Sequence, residues 1–270
     1  MRIAVVAPSC SLKREAAEAV QAIVAARGDC ELVIHPQCFL SDGHFAGPDA
    51  ARLAALVEVM ADPQVDAVWF ARGGYGSNRI AQATVRASCA VARGKSYLGY
   101  SDAGFLLAAL HKAGMTVAHG SMVQDVLREG GEAAIHRALD YIVQRSDSAL
   151  ETGLDGPAMA FNLTVLSNLL GTELEPDLAG RDLMIEEVNE QYYRIDRAMF
   201  HLTGSANVRT IRRLRLGRVS DVIENEPEFS SDAEAIVRDW CERAGIVFGG
   251  PADIGHDAAN KVVPFGRPRS

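Results

Sequence analysis

Three residues far apart in the chain could carry chemistry together: Ser101, Glu186 and His256. A serine hydroxyl is a poor nucleophile at neutral pH and needs a base beside it. An imidazole, titrating at about pH 6–7, can take that proton and return it. A carboxylate fixes the tautomer of the imidazole and steadies the imidazolium. Ser101 lies in Leu98-Gly99-Tyr100-Ser101-Asp102-Ala103-Gly104, where an apolar run enters and a small-residue helical pattern leaves. That is the local form of a nucleophile elbow, in which a sharp turn lifts the hydroxyl clear of a sheet edge and the next N–H can serve an oxyanion. The second glycine of the G-x-S-x-G spelling falls one residue late, at Gly104, so a plain helix N-cap competes for Ser101. Glu186 and Glu187 share the strand-like Leu183-Met184-Ile185-Glu186-Glu187-Val188. Adjacent strand residues face opposite sides, so only one of the two acids can enter a given site. His256 sits in the polar loop Pro251-Ala252-Asp253-Ile254-Gly255-His256-Asp257, where a histidine is most often a surface residue.

A fourth feature is Arg72-Gly73-Gly74-Tyr75-Gly76, glycine-dense and placed directly after an apolar run. Glycines let backbone N–H groups approach a ligand closely, while the bland alternative is a tight turn into the next helix. The segment has neither the Gly-Lys-Ser/Thr ending of a Walker loop nor a G-x-G-x-x-G pattern, so a nucleotide fingerprint is missing. Cys10 follows the first strand but has no activating pattern around it. His119, before Gly120-Ser121-Met122, is the other histidine at a strand end. No spacing of His, Cys, Asp and Glu suggests a metal site, and no cofactor is expected.

The elements that must position these residues alternate through the first half. Apolar, strand-like runs fall at 3–7, 31–34, 67–70, 97–100 and 116–118, with helical spacing at 12–26, 49–60, 77–83, 103–113 and 131–144. Alternation of this kind predicts a parallel sheet covered on both faces, with ligand sites at the carboxyl ends of its strands. Pro8-Ser9-Cys10, the glycine-dense loop and the Ser101 turn all fall at such ends. A polar stretch at 146–157 reads as a linker, giving an N-terminal domain over 1–150 and a smaller mixed α/β domain over 151–270. In the second domain the pattern predicts a buried helix at 161–170, a strand at 183–188 and a helix at 193–202. A basic strand at 211–216, a helix at 232–244 capped by Ser230 or Ser231, and a short strand at 246–248 follow. Residues 267–270 are expected to fray.

The 270 residues are 48% hydrophobic and 23% charged, an ordinary globular composition with a net charge of −8. That acidity argues against nucleic acid as a partner. No run approaches about 18 apolar residues, so no membrane span is expected. The first residues are too short an apolar run for a signal peptide. Five cysteines without a C-x-x-C pair suit a reducing cytoplasm.

Taken in order, further segments give the chain a family likeness. They are Ala71-Arg72-Gly73-Gly74-Tyr75-Gly76, Gly99-Tyr100-Ser101-Asp102, His119-Gly120-Ser121-Met122, Asn162-Leu163-Thr164, Ile185-Glu186-Glu187 and Gly255-His256-Asp257 with Asn260. With these the chain resembles the LD-carboxypeptidases, serine peptidases that include the microcin C immunity peptidases. The resemblance implies a flavodoxin- or amidotransferase-like parallel-sheet domain followed by a smaller α/β domain, with the site between them. It implies Ser101 as nucleophile, Glu186 as the acid and His256 as the base. An oxyanion hole would come from the Asp102 N–H and that of Gly73 or Gly74. Arg72 and Tyr75 are candidate substrate contacts, and Arg197 is a second cationic candidate. The implied reaction is release of the terminal D-alanine from murein tetrapeptides in the cytoplasm, by a homodimer. The alternative within the family is hydrolysis of a peptidyl-nucleotide, which an aromatic platform for the base would favour. A non-enzymatic two-domain binding module would explain the architecture but leave the ordered serine, glutamate and histidine as coincidence. The chain departs from the family pattern at Ser121, where proline is common, at Ala160-Phe161, where Gly-Gly is common, and at Glu187, where aspartate is usual.

Overall fold

A computed structural model describes residues 1–266; the fraying expected at 267–270 lies outside them. Five parallel strands, β1 (Arg2–Val6), β2 (Glu31–Ile34), β3 (Ala67–Phe70), β4 (Ser96–Gly99) and β5 (Thr116–His119), form the first sheet. Between and after them run α1 (Arg14–Arg27), α2 (Asp49–Ala61), α3 (Ser77–Ala87), α4 (Gly104–Lys112) and α5 (Gly131–Leu139). The sheet order is β10-β5-β4-β3-β1-β2, with a late strand, β10 (Val263–Pro264), antiparallel to β5. Setting β10 aside, this is the 2-1-3-4-5 order of flavodoxin-like sheets, and its switch point lies between β1 and β3.

Strand alternation sorts the core. Ile3, Val5, Ala67, Trp69 and Leu98 turn to α1 and α5. Ala4, Val6, Val68, Phe70 and Tyr97 turn to α2, α3 and α4. Both faces of the central strands are covered, which is why their middle residues are apolar. The α4 side of this core is continuous with the second unit through Val165 and Leu166.

The second unit has a four-stranded parallel sheet, β6 (Ala158–Asn162), β7 (Asp182–Val188), β8 (Arg213–Ser220) and β9 (Phe248–Pro251), in that order. Helices α6 (Leu163–Leu169), α7 (Tyr192–Gly204) and α8 (Ala233–Ala244) connect the strands. The buried helix expected at 161–170 is therefore a strand, β6, followed by a shorter helix. Apolar residues on both sides hide that break, which falls at Asn162, whose side chain caps α6 by accepting the Val165 N–H at 3.1 Å. Asp232, not a preceding serine, caps α8. Among the described residues no helix is long and apolar enough to cross a membrane.

Candidate active site

The carboxyl ends of β1, β3 and β4 meet at the switch point, and Asp102 ties them together. Its buried carboxylate accepts the Ser9 hydroxyl at 2.5 Å and the Ser77 N–H at 2.9 Å. Its carbonyl accepts the Ser77 hydroxyl at 2.5 Å. Arg52, 1% exposed, braces the same loops from behind, donating to the carbonyls of Pro8, Gly47 and Gly76. Sequence reasoning gave Asp102 only a backbone role and did not single out Arg52. A buried arginine with three carbonyl partners leaves no local signal in the sequence.

Ser101 turns out of β4 with φ +57°, a left-handed conformation that costs a non-glycine residue about 1–3 kcal/mol. The N-cap positions of the 3-10 turn that it starts and of α4 belong to Tyr100 and Ala103, not to Ser101. The glycine-dense loop packs against it: a Cβ at Gly73 would lie 2.9 Å from Ser101 Oγ. At Gly74, φ is +111° and a Cβ would fall 2.3 Å from Cys10 Sγ, so both backbone shape and space require glycine. Cys10 Sγ itself lies 3.3 Å from His44 Nε2.

From the second unit, β7 brings both acids. Glu186, fully buried, places Oε2 2.6 Å from Nδ1 of His256. Glu187 turns elsewhere and receives four donors: Asn162 Nδ2 at 2.5 Å, the Thr164 N–H and hydroxyl at 2.9 and 2.7 Å, and the Val188 N–H at 2.9 Å. Burial raises the Glu187 pKa, and those hydrogen bonds oppose the rise. Simple alternation separates the two acids, and a register shift against β8 between Ile185 and Glu187 accompanies the separation.

His256 is 8% exposed and lies against the Tyr100 ring at 4.9 Å between centroids. Burial alone would push its pKa down. The charge of Glu186 and the hydrogen bond to it outweigh burial, so the imidazole ends above its ordinary value. With the Nδ1 proton facing a carboxylate, Nε2 is the ring's free acceptor.

A cleft of about 710 Å³ opens between the two units, lined among others by Gly74, Tyr75, Ser101, Asp102, Glu187 and His256. Glu186 stands behind His256, outside the lining. Tyr75 is half-exposed at the cleft. Arg72 is directed away, its guanidinium reaching the Ser11 carbonyl at 3.4 Å, and is not among the lining residues. Arg197 is exposed on α7, over the Tyr193 ring, and also lies outside the lining. His119 is buried and bonded to Asn260. Among the described residues no group of three or more His, Cys, Asp or Glu is placed to hold a metal. The arrangement offers a hydroxyl and a carboxylate-paired imidazole in one partly enclosed cleft, the components of acyl transfer.

Comparisons with known proteins place the chain in a family. The family model "LD-carboxypeptidase N-terminal domain" matches residues 3–120, and "LD-carboxypeptidase C-terminal domain" matches residues 155–269. A probable murein peptide carboxypeptidase of Bacillus subtilis is 30% identical over 83% of this chain and 74% of its own. The murein tetrapeptide carboxypeptidase of Pseudomonas aeruginosa is 26% identical over 98% of this chain and 91% of its own. Among solved structures, muramoyltetrapeptide carboxypeptidase from Oxalobacter formigenes superposes with a TM-score of 0.80 at 23% identity, covering 97% of this chain and 93% of that one. That likeness establishes the fold.

Proposed function

Since the chain belongs to the LD-carboxypeptidase family, we propose that it is a serine carboxypeptidase that removes the terminal D-alanine from a murein tetrapeptide. The observation that carries the reading is the 2.6 Å Glu186–His256 contact, with His256 and the strained Ser101 lining the same cleft. In this reading Ser101 Oγ attacks the carbonyl carbon of the L,D-peptide bond while Nε2 of His256 takes the hydroxyl proton. Glu186 holds the Nδ1 proton and offsets the charge that appears on the ring. The oxyanion is received by the N–H of Asp102 and that of Gly73 or Gly74, each such donor being worth about 3–4 kcal/mol in the transition state. His256 then gives its proton to the departing amine of D-alanine, and water repeats the sequence in reverse to free Ser101. Tyr75 contacts the peptide. Arg72, turned toward Ser11, is left out of the proposed contacts.

The same reading takes the units as domains over 1–150 and 151–270, working in the cytoplasm as a homodimer. A peptidyl-nucleotide substrate would find no tryptophan in the cleft. Trp69 is fully buried, with its indole N–H on the Ser121 carbonyl, and Trp240 meets Phe200 edge-to-face; the exposed aromatic ring in the lining is that of Tyr75. The test is D-alanine release from murein tetrapeptide by purified protein and by Ser101→Ala, with an aminoacyl-sulfamoyl adenosine as the rival substrate. Turnover of the tetrapeptide by the parent, lost in a folded Ser101→Ala, is the expected result. Retained turnover in the variant removes the serine mechanism, and preference for the sulfamoyl compound replaces the substrate.

A further inference from the structure

Between the nucleophile strand and the histidine loop lies a closed ring of contacts that the proposed chemistry does not use. Asn260 is 1% exposed. Its Oδ1 accepts two hydrogen bonds: from the N–H of Gly255, the residue before His256, at 3.1 Å, and from His119 Nε2 at 3.1 Å. The Gly255 N–H fixes which end of the amide is oxygen, and that oxygen in turn requires the proton of His119 on Nε2. His119 is the last residue of β5, in register with Gly99 of β4. Its ring meets the edge of Tyr100 at 5.4 Å, and Tyr100 packs on His256 at 4.9 Å. The Tyr100 hydroxyl is itself held, donating to Asp125 at 3.0 Å. The path therefore runs His256–Tyr100–His119–Asn260–Gly255 and back to His256, with Ser101 attached at Tyr100.

Each member has a defined part. The Tyr100 ring, tilted 51° to that of His256, packs against it. His119 is fully buried, and burial drives its pKa down to about 4, so it is neutral at working pH and donates without bringing a charge to the site. Asn260 fixes the backbone immediately before His256, and its own N–H, bonded to the Asp257 carbonyl at 3.2 Å, closes the loop on the other side. A loop histidine has no strand or helix to set its position. Here a buried amide, anchored to the nucleophile sheet, supplies that constraint.

We propose that Asn260 and His119 are positioning residues that hold the His256 imidazole in place relative to Ser101 and Glu186. This rests on the hydrolase reading above only for its kinetic readout. The charged and titratable groups facing His256 are Glu186 from β7, Asp125 and Arg128 from the turn after β5, and Tyr100 from β4; His119 faces it across Tyr100.

The test uses the full chain with Asn260→Ala, Asn260→Ser and His119→Phe, each checked for native circular dichroism. Two quantities are read. One is the far-downfield NMR signal of the proton shared by His256 Nδ1 and Glu186, which reports geometry whatever the substrate is. The other is kcat against KM for D-alanine release. The expected result is a shifted or lost proton signal and a kcat at least tenfold lower in Asn260→Ala, with KM within about threefold. His119→Phe, which keeps the ring on Tyr100 but loses one donor, is expected to fall between parent and Asn260→Ala. If Asn260→Ala does not fold, Asn260→Ser takes its place with the same expectation. Folded variants with the parental proton signal and parental kcat overturn the proposal. A parent that shows the signal but does not cleave tetrapeptide removes the functional reading and leaves the positioning test standing.

Discussion

Glu186→Gln is the sharpest probe of the charge arrangement, because the substitution keeps shape and volume while removing the charge. In the parent, Oε2 lies 2.6 Å from Nδ1 of His256, and Glu186 has no solvent exposure. Both charges are spread over several atoms, so their centres lie about 4 Å apart, and at an effective dielectric near 20 the attraction is about 4 kcal/mol. The imidazolium forms only as Ser101 loses its proton, so this attraction acts mainly in the transition state. At about 1.4 kcal/mol per factor of ten, its loss lowers kcat about a thousandfold. A second effect adds to the first. The amide can present N–H to Nδ1, forcing the ring proton onto Nε2, where it can no longer accept from Ser101. The assay is single-turnover D-alanine release by Glu186→Gln and parent at matched, saturating tetrapeptide, with thermal melting to confirm the fold. A folded variant within threefold of the parental rate would show that the carboxylate does not serve His256 electrostatically, and the reasoning above would fail.

Four further outcomes are expected. The base must be neutral to accept a proton, and Glu186 holds its pKa above the ordinary histidine value. The acid limb of kcat/KM therefore lies above that value and moves down in Glu186→Gln; an unmoved limb contradicts the pairing. The raised pKa also has a stability consequence. The contribution is fully present below the unfolded value of about 6.5 and is lost as pH rises through the folded one, which urea midpoints across that range measure. Gly74→Ala places a methyl 2.3 Å from Cys10 Sγ at φ +111°; kcat/KM is expected to fall at least tenfold, and Cys10→Ala in the same chain to restore part of it. No recovery in the double variant separates the defect from that contact. Asp102→Ala leaves the Ser77 N–H and the Ser9 hydroxyl buried without their acceptor, at about 1–3 kcal/mol each. The melting midpoint should drop accordingly, and an unchanged midpoint would show that the three loops do not depend on this carboxylate.

Much of the first sheet was legible because periodicity there is unambiguous. The runs at 3–7, 67–70 and 116–118 are short and, Thr116 aside, apolar, as suits buried parallel strands, and each is separated from the next by a helical pattern. The second unit was less legible for a local reason. Ala158–Asn162 and Leu163–Leu169 adjoin directly and both are rich in apolar residues, so only the capping geometry of Asn162 divides strand from helix. A two-residue strand such as Val263–Pro264 carries no periodicity at all. At the site, residue types and order suggested Ser101, Glu186 and His256, but which of two adjacent acids turns to His256 depends on how β7 sits in its sheet. Asp102, Arg52 and Asn260 were invisible as organisers because, apart from the Arg52–Asp49 pair on α2, their partners are backbone groups or residues distant in sequence, which no spacing rule reaches.

The position of β10 gives the site an unusual mechanical character. The segment bearing His256 leaves the second sheet at Pro251 and enters the first sheet at Val263. It is a strap fastened at both ends to different bodies. Just beyond β10, Gly266 also exchanges two backbone hydrogen bonds with Ala158 of β6, so the segment that carries the imidazole ends by joining the two sheets to each other.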